Sequence, residues 1–76
     1  MAQVEVYGTD WCEETCRVRE QLDRRGVPYR YVNVSRDRQA EAWLRGRYHG
    51  WLRTPTIRVG EQVIAAPSEA ELRGLG

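Results

Sequence analysis

A chain of 76 residues has room for one domain with a thin core, and its 41% apolar and 30% charged residues are ordinary for a globular protein. Twelve basic residues, all of them arginine, stand against eleven acids for a net charge of +1, which argues against a nucleic-acid-binding face. No apolar run is long enough to span a bilayer, and the opening Met1-Ala2-Gln3-Val4-Glu5 lacks a secretory pattern. A reducing, cytoplasmic setting without membrane contact is therefore expected, where two cysteines four positions apart point to redox or metal chemistry rather than to a structural staple.

Residues 1–76 are expected to form a single domain of alternating strands and helices. Gln3 to Tyr7 alternates polar and apolar residues and predicts a strand. Gly8-Thr9-Asp10 signals a turn. A helix follows from about Cys12 to Arg25, with Thr15, Val18 and Leu22 on one stripe and Gly26 and Pro28 as its stop. Tyr29 to Val34 is rich in aromatic and β-branched residues and predicts a second strand. Ser35 is the expected N-cap of a second helix from Arg36 to about Tyr48, with Ala40, Trp43, Leu44 and Tyr48 at helical spacing on the core side. After a loop over His49 to Arg53, two short strands, Thr56 to Val59 and Gln62 to Ala65, flank the hairpin signal Gly60-Glu61. Pro67-Ser68 opens a last short helix, Glu69 to Leu72. The order is β-α-β-α-β-β-α. A crossover helix makes the first two strands parallel and the hairpin makes the last two antiparallel, so a mixed four-stranded sheet with helices on both faces is expected, an α/β fold.

Cys12 follows a strand and turn at the first turn of a helix. Free N–H groups and the positive end of the helix dipole stabilise a thiolate there, which is how a cysteine becomes nucleophilic near neutral pH. Trp11, directly before it, is placed to shield one side of the sulfur.

The run Val6-Tyr7-Gly8-Thr9-Asp10-Trp11-Cys12, the helix residues Val18 and Leu22, the segment Arg53-Thr54-Pro55-Thr56-Ile57, and Ala66-Pro67-Ser68 with Leu72 together resemble the glutaredoxin-like family. Within it the resemblance is to the mycoredoxins and the glutaredoxins that serve ribonucleotide reductase, and it covers nearly the whole chain. It implies a thioredoxin-like fold and a thiol–disulfide oxidoreductase, or electron carrier, acting through Cys12. Protein disulfides or mixed disulfides would be its substrates and a small thiol or a reductase its electron donor. It would work as a monomer, with no bound cofactor beyond a low-molecular-weight thiol as co-substrate. Thr54-Pro55 resembles the family's loop facing the active cysteine, where the proline is cis and the preceding backbone pairs with an extended substrate. Trp11, Arg53, Thr54, Pro55 and Ser68 are thereby candidate substrate-binding residues.

The chain departs from the family at several points. Where members carry Cys-x-x-Cys, it has Cys12-Glu13-Glu14-Thr15-Cys16, so that Thr15 takes the place of the second cysteine. Cβ atoms four apart on an ideal helix are about 5–6 Å from each other, more than the roughly 3.5–4.5 Å of a disulfide. Either Cys12 works alone and an external thiol resolves its mixed disulfide, or Cys16 resolves it from a distorted first turn. Glu13 and Glu14 should oppose the thiolate. The family's lysine near the nucleophile is replaced by Thr9, and its Gly-rich glutathione segment by Ala65-Ala66-Pro67-Ser68, which leaves a different small thiol or a protein as eligible a donor as glutathione. Two other readings use the same cysteines: a Cu(I) or iron–sulfur binding module on Cys12 and Cys16, and a redox-inactive adaptor. His49 is expected to be a solvated loop residue, and Trp51 and Leu52 either cover the second helix or form an exposed contact for a partner.

Overall fold

Seven elements follow one another in the order expected from the chain. The computed structural model, which describes residues 3–75, contains β1 (Val4–Gly8), α1 (Glu13–Arg24), β2 (Tyr29–Asn33), α2 (Arg38–Arg47), β3 (Thr56–Val59), β4 (Gln62–Ala65) and α3 (Glu69–Arg73). The strands form one mixed sheet in the order β2-β1-β3-β4. β1 and β2 run parallel, joined by α1 as crossover, while β1–β3 and β3–β4 are antiparallel.

Alternation along β1 divides the core. Val4 and Val6 face one side and pack with Val18 and Leu22 of α1, Ile57 of β3 and Leu72 of α3. Tyr7 faces the other side with Val32, Val34, Ala40 and Leu44, under α2. Helices thus cover both faces of the sheet. Trp43, Tyr48 and Leu52 close the edge of the second cluster half-buried, with the Tyr7 and Trp43 rings 5.0 Å apart. In the next row of that face, Glu5 of β1 lies between Arg30 of β2 and Arg58 of β3, at 3.7 and 3.9 Å. Among the described residues, no helix is long and apolar enough to cross a membrane.

The second helix begins later than expected. Ser35 gives both its N–H and its hydroxyl to Asn33 Oδ1, at 3.0 and 2.6 Å, which holds it in a turn. Asp37 caps the helix instead and accepts the N–H of Ala40 at 3.0 Å. The other end is closed by the left-handed pair His49 (φ 56°) and Gly50 (φ 92°), with the Gly50 N–H on the Arg45 carbonyl at 2.7 Å.

Leu22 is wholly buried where α1, α3 and the sheet meet. Leu22→Ala is expected to lower the unfolding free energy by about 2–5 kcal/mol, read from the midpoint of urea denaturation at constant m-value. A loss below about 1 kcal/mol would contradict this account of the core.

Candidate functional site

β1 ends at a buried Gly8, and Thr9 beyond it is also buried. The turn closes through the Cys12 N–H on the Thr9 carbonyl, at 3.3 Å. Cys12 is the N-cap of α1 (φ −83°, ψ 115°), one step outside the helix rather than in its first turn as expected. Its carbonyl accepts the N–H of Cys16 at 3.1 Å, the first hydrogen bond of the helix. Cys12 is half-buried and holds the cap position, and its side chain makes no capping hydrogen bond.

From the other side the loop ahead of β3 closes on it. The Thr54-Pro55 peptide is cis and Pro55 is buried. The Thr54 hydroxyl donates to Cys12 Sγ at 3.8 Å, and the thiol faces the Thr54 carbonyl at 4.0 Å. The loop is tied at both ends: the Thr56 hydroxyl donates to the Arg53 carbonyl at 2.7 Å, and the Ala66 N–H to the Pro55 carbonyl at 2.7 Å.

Burial of the sulfur pushes the Cys12 pKa up, because desolvation penalises the charged form. The hydroxyl and N–H of Thr15, the hydroxyl of Thr54 and the N–H of Glu14 oppose this, and together they outweigh it, so the thiol lies below its ordinary pKa. Glu13 and Glu14 do not reverse the balance. Both are exposed, and Glu14 is paired with Arg17 at 3.6 Å, so water and a cation screen their charge.

Cys16 is exposed, its sulfur 3.6 Å from the Asp10 carbonyl. The ideal-helix distance between the two cysteines does not apply, since Cys12 lies off the helix. Beside Cys16 is a group that the sequence reading missed. The Tyr31 hydroxyl donates to Asp10 Oδ1 at 2.8 Å. The Arg19 guanidinium lies 3.9 Å over the Tyr31 ring, and its Nε donates to the Tyr29 hydroxyl at 3.3 Å. Burial, and then the bond to the Asp10 carboxylate, push Tyr31 up to about 12. The signal was Arg19 three residues after Cys16, on the same helix flank.

Trp11 is 75% exposed. Arg53 turns toward Tyr48, 5.5 Å from its ring centre. Ser68 is committed as the cap of α3: it accepts the Glu71 N–H at 3.2 Å while its own N–H goes to the Glu71 carboxylate at 2.9 Å. His49 is exposed in the turn that ends α2. Leu52 packs on the core and Trp51 stays 73% exposed. Among the described residues no three His, Cys, Asp or Glu side chains gather as a metal site.

The fold is matched by known proteins. A family model described as glutaredoxin matches residues 4–64. Mycoredoxin 1 of Corynebacterium glutamicum is 32% identical over 73 residues, covering 95% of this chain and 90% of that protein. The solved structure of the thioredoxin-like protein BC3987 has a TM-score of 0.83 at 28% identity, covering 97% of this chain and all 100% of the other. That of NrdH-redoxin from Escherichia coli, described as glutaredoxin-like with a thioredoxin-like activity profile, scores 0.84 at 19% identity, covering 97% and 95%. The architecture is the thioredoxin-like fold.

Removing the hydroxyl nearest the sulfur on the loop side should weaken the charged form. Thr54→Val is expected to raise the midpoint of the pH profile for Cys12 alkylation, by about one unit or less. An unmoved midpoint would show that Thr54 does not support the thiolate.

Proposed function

This chain belongs to the glutaredoxin family, whose members act as thiol–disulfide oxidoreductases, and on that premise we propose that Cys12 is its nucleophile and works by a monothiol cycle. The Cys12 thiolate attacks one sulfur of a mixed disulfide or protein disulfide. A Cys12–sulfur bond forms, the substrate's S–S bond breaks, and the departing sulfur leaves as a thiolate. A second, external thiolate then attacks the substrate-derived sulfur of the mixed disulfide. The Cys12 thiolate is released, and the external thiol leaves in a new disulfide with the substrate-derived sulfur. That disulfide is the oxidised donor when the sulfur came from a low-mass thiol; a protein disulfide takes a second external thiol to complete its reduction. Two electrons pass from the donor thiols to the substrate disulfide.

The observation that carries this reading is the Cys12 sulfur itself, held between the start of α1 and Thr54 with its pKa below the ordinary value. A buried threonine fills the slot of the family's second cysteine, which supports resolution by an external thiol. The substrate class is a disulfide on a protein or a low-mass thiol, and the donor a low-mass thiol or a reductase. Work as a monomer in a reducing, cytoplasmic setting is part of the same proposal. A second reading keeps Cys16 as the resolving thiol, favoured by the extended backbone of Cys12, which leaves its sulfur outside the helical spacing.

The test is steady-state reduction of a small mixed disulfide with an excess of low-mass thiol. Cys12→Ser is expected to lose roughly a thousandfold or more, while Cys16→Ser keeps turning over. Turnover by Cys12→Ser at the wild-type rate would overturn the proposal. Loss in Cys16→Ser alongside Cys12→Ser would replace the monothiol route by the dithiol one.

A further inference from the structure

Among the described residues, the large apolar side chains left exposed are Trp11 and Trp51. Both belong to the segments that meet at the reacting sulfur. Trp11 directly precedes Cys12, and Trp51 comes three residues before Thr54, whose hydroxyl donates to that sulfur. Three residues of chain span roughly 10 Å at most. Trp51 is held in place. Its N–H donates to the Tyr48 carbonyl at 3.1 Å, with His49 and Gly50 left-handed between them. Arg45 Nη1 donates to the Gly50 carbonyl at 2.9 Å, and Arg45 is itself fixed by Glu41 at 3.0 Å. An indole displayed on a turn tied this closely loses little freedom when it binds.

From Trp51 to the sulfur the chain alternates. Leu52 packs against the core under α2 and Thr54 turns to Cys12, while Trp51 and Arg53 are exposed. The two share the outward side of a segment whose inward side ends on the nucleophile. Charge gathers on this side as well. Between positions 36 and 53 the chain carries five arginines against Asp37 and Glu41. Asp37 caps α2 and Glu41 is taken by Arg45. Arg47, the last residue of α2, is exposed, and among the described residues neither it nor Arg53 lies within 4.0 Å of a carboxylate. Arg53 rests over the Tyr48 ring, which leaves its charge uncompensated. Past the sulfur, at the start of α1, the sign reverses: Glu13 and Glu14 are exposed there.

We propose that Trp51, with Arg47 and Arg53 on either side of it in the chain, is the docking surface for an acidic segment of a protein whose disulfide is reduced at Cys12. An apolar side chain of that segment covers the indole, and its carboxylates meet the two arginines. The inference rests on Cys12 being the nucleophile and names the substrate class of that site. Tryptophan and arginine are the residue types that carry most binding energy where they stand together, and a polypeptide supplies an apolar side chain and carboxylates at the spacing of neighbouring residues. The acidic part of the substrate lies on the Trp51 side because Glu13 and Glu14 repel it on the other. A basic segment is turned away from the loop by the same arginines. The thiol–disulfide exchange itself is unchanged; the surface acts on how long the substrate stays.

The experiment measures steady-state reduction by the full chain, with an excess of low-mass thiol, of short peptides whose single cysteine carries that thiol as a mixed disulfide. The cysteine is flanked by Leu-Glu-Glu, Leu-Lys-Lys or Gly-Ser-Ser, placed before it in one peptide and after it in another, and the better of each pair is compared. The acidic peptide is expected to have a kcat/KM about tenfold above the neutral one, and the basic peptide to fall below both. The advantage should shrink as salt is raised. Trp51→Ala should remove it through KM with kcat unchanged, and Arg47→Glu should shift the preference toward the basic peptide. Both residues are exposed, so neither change opens the core. A small mixed disulfide without a peptide is the control, and both variants are expected to reduce it at the parent rate. Equal kcat/KM for the three peptides, or an acidic preference that survives both substitutions, would overturn the proposal. A parent chain unable to reduce even the small mixed disulfide would overturn the reading of Cys12 beneath it, and the control tells the two failures apart.

Discussion

Antiparallel pairing of β1 with β3 sets Tyr7 opposite Thr56, and this pairing brings together two segments far apart in the chain. The residues leaving β1 and the residues entering β3 must then lie at the same end of the sheet. Cys12 comes four residues after β1 and Thr54 two residues before β3, so the sulfur meets a loop 42 residues away. The pairing is held by the core on one face, where Val6 and Ile57 sit side by side and wholly buried against Leu22. On the other face Glu5, half-buried, lies between Arg30 and Arg58, a solvent-edge set that adds little stability on its own. In a domain this small the core that supports the site is also most of the core there is.

At that junction two opposed effects act on one sulfur. Partial burial disfavours its charge, while the free N–H groups of the first helical turn and two threonine hydroxyls favour it. The second effect wins: two hydroxyls and two backbone N–H groups act on one half-buried thiol at the cap position of α1. Cys16, one turn on, has neither advantage. It is exposed and faces a carbonyl. The two cysteines share a sequence motif but not an environment.

Much of this was legible in the sequence because period-two and helical spacing reflect which face is buried. The strands of the hairpin and the stripe of Thr15, Val18 and Leu22 follow from patterns that the sheet and its core require, while the facing of Cys12 by Thr54-Pro55 came from the family resemblance. What escaped were contacts in which one side chain competes with another. Ser35 looked like a helix cap until Asn33 captured both its donors, leaving that task to Asp37. Ser68 matched a substrate-binding position by resemblance, and its hydroxyl oxygen also accepts the Glu71 N–H as the cap of α3. Trp11 sits next to the nucleophile in the chain and still points into solvent, since adjacency in sequence says nothing of side-chain direction at a turn. Glu13 and Glu14 suggested a raised thiol pKa, because the charge of a carboxylate shows in the sequence, while the hydroxyl and backbone N–H donors that lower it gather on the thiol only in the fold.

The central claim is that Cys12 carries a mixed disulfide until an external thiol removes it. The most direct measurement is the intact mass of the reduced wild-type protein after reaction with a small-molecule disulfide, with no thiol added back. A single adduct that stays in place, on a peptide containing Cys12 and with one free thiol remaining, is the predicted result. Loss of both thiols with no added mass would mean that Cys16 had closed on Cys12, and the monothiol account would be contradicted.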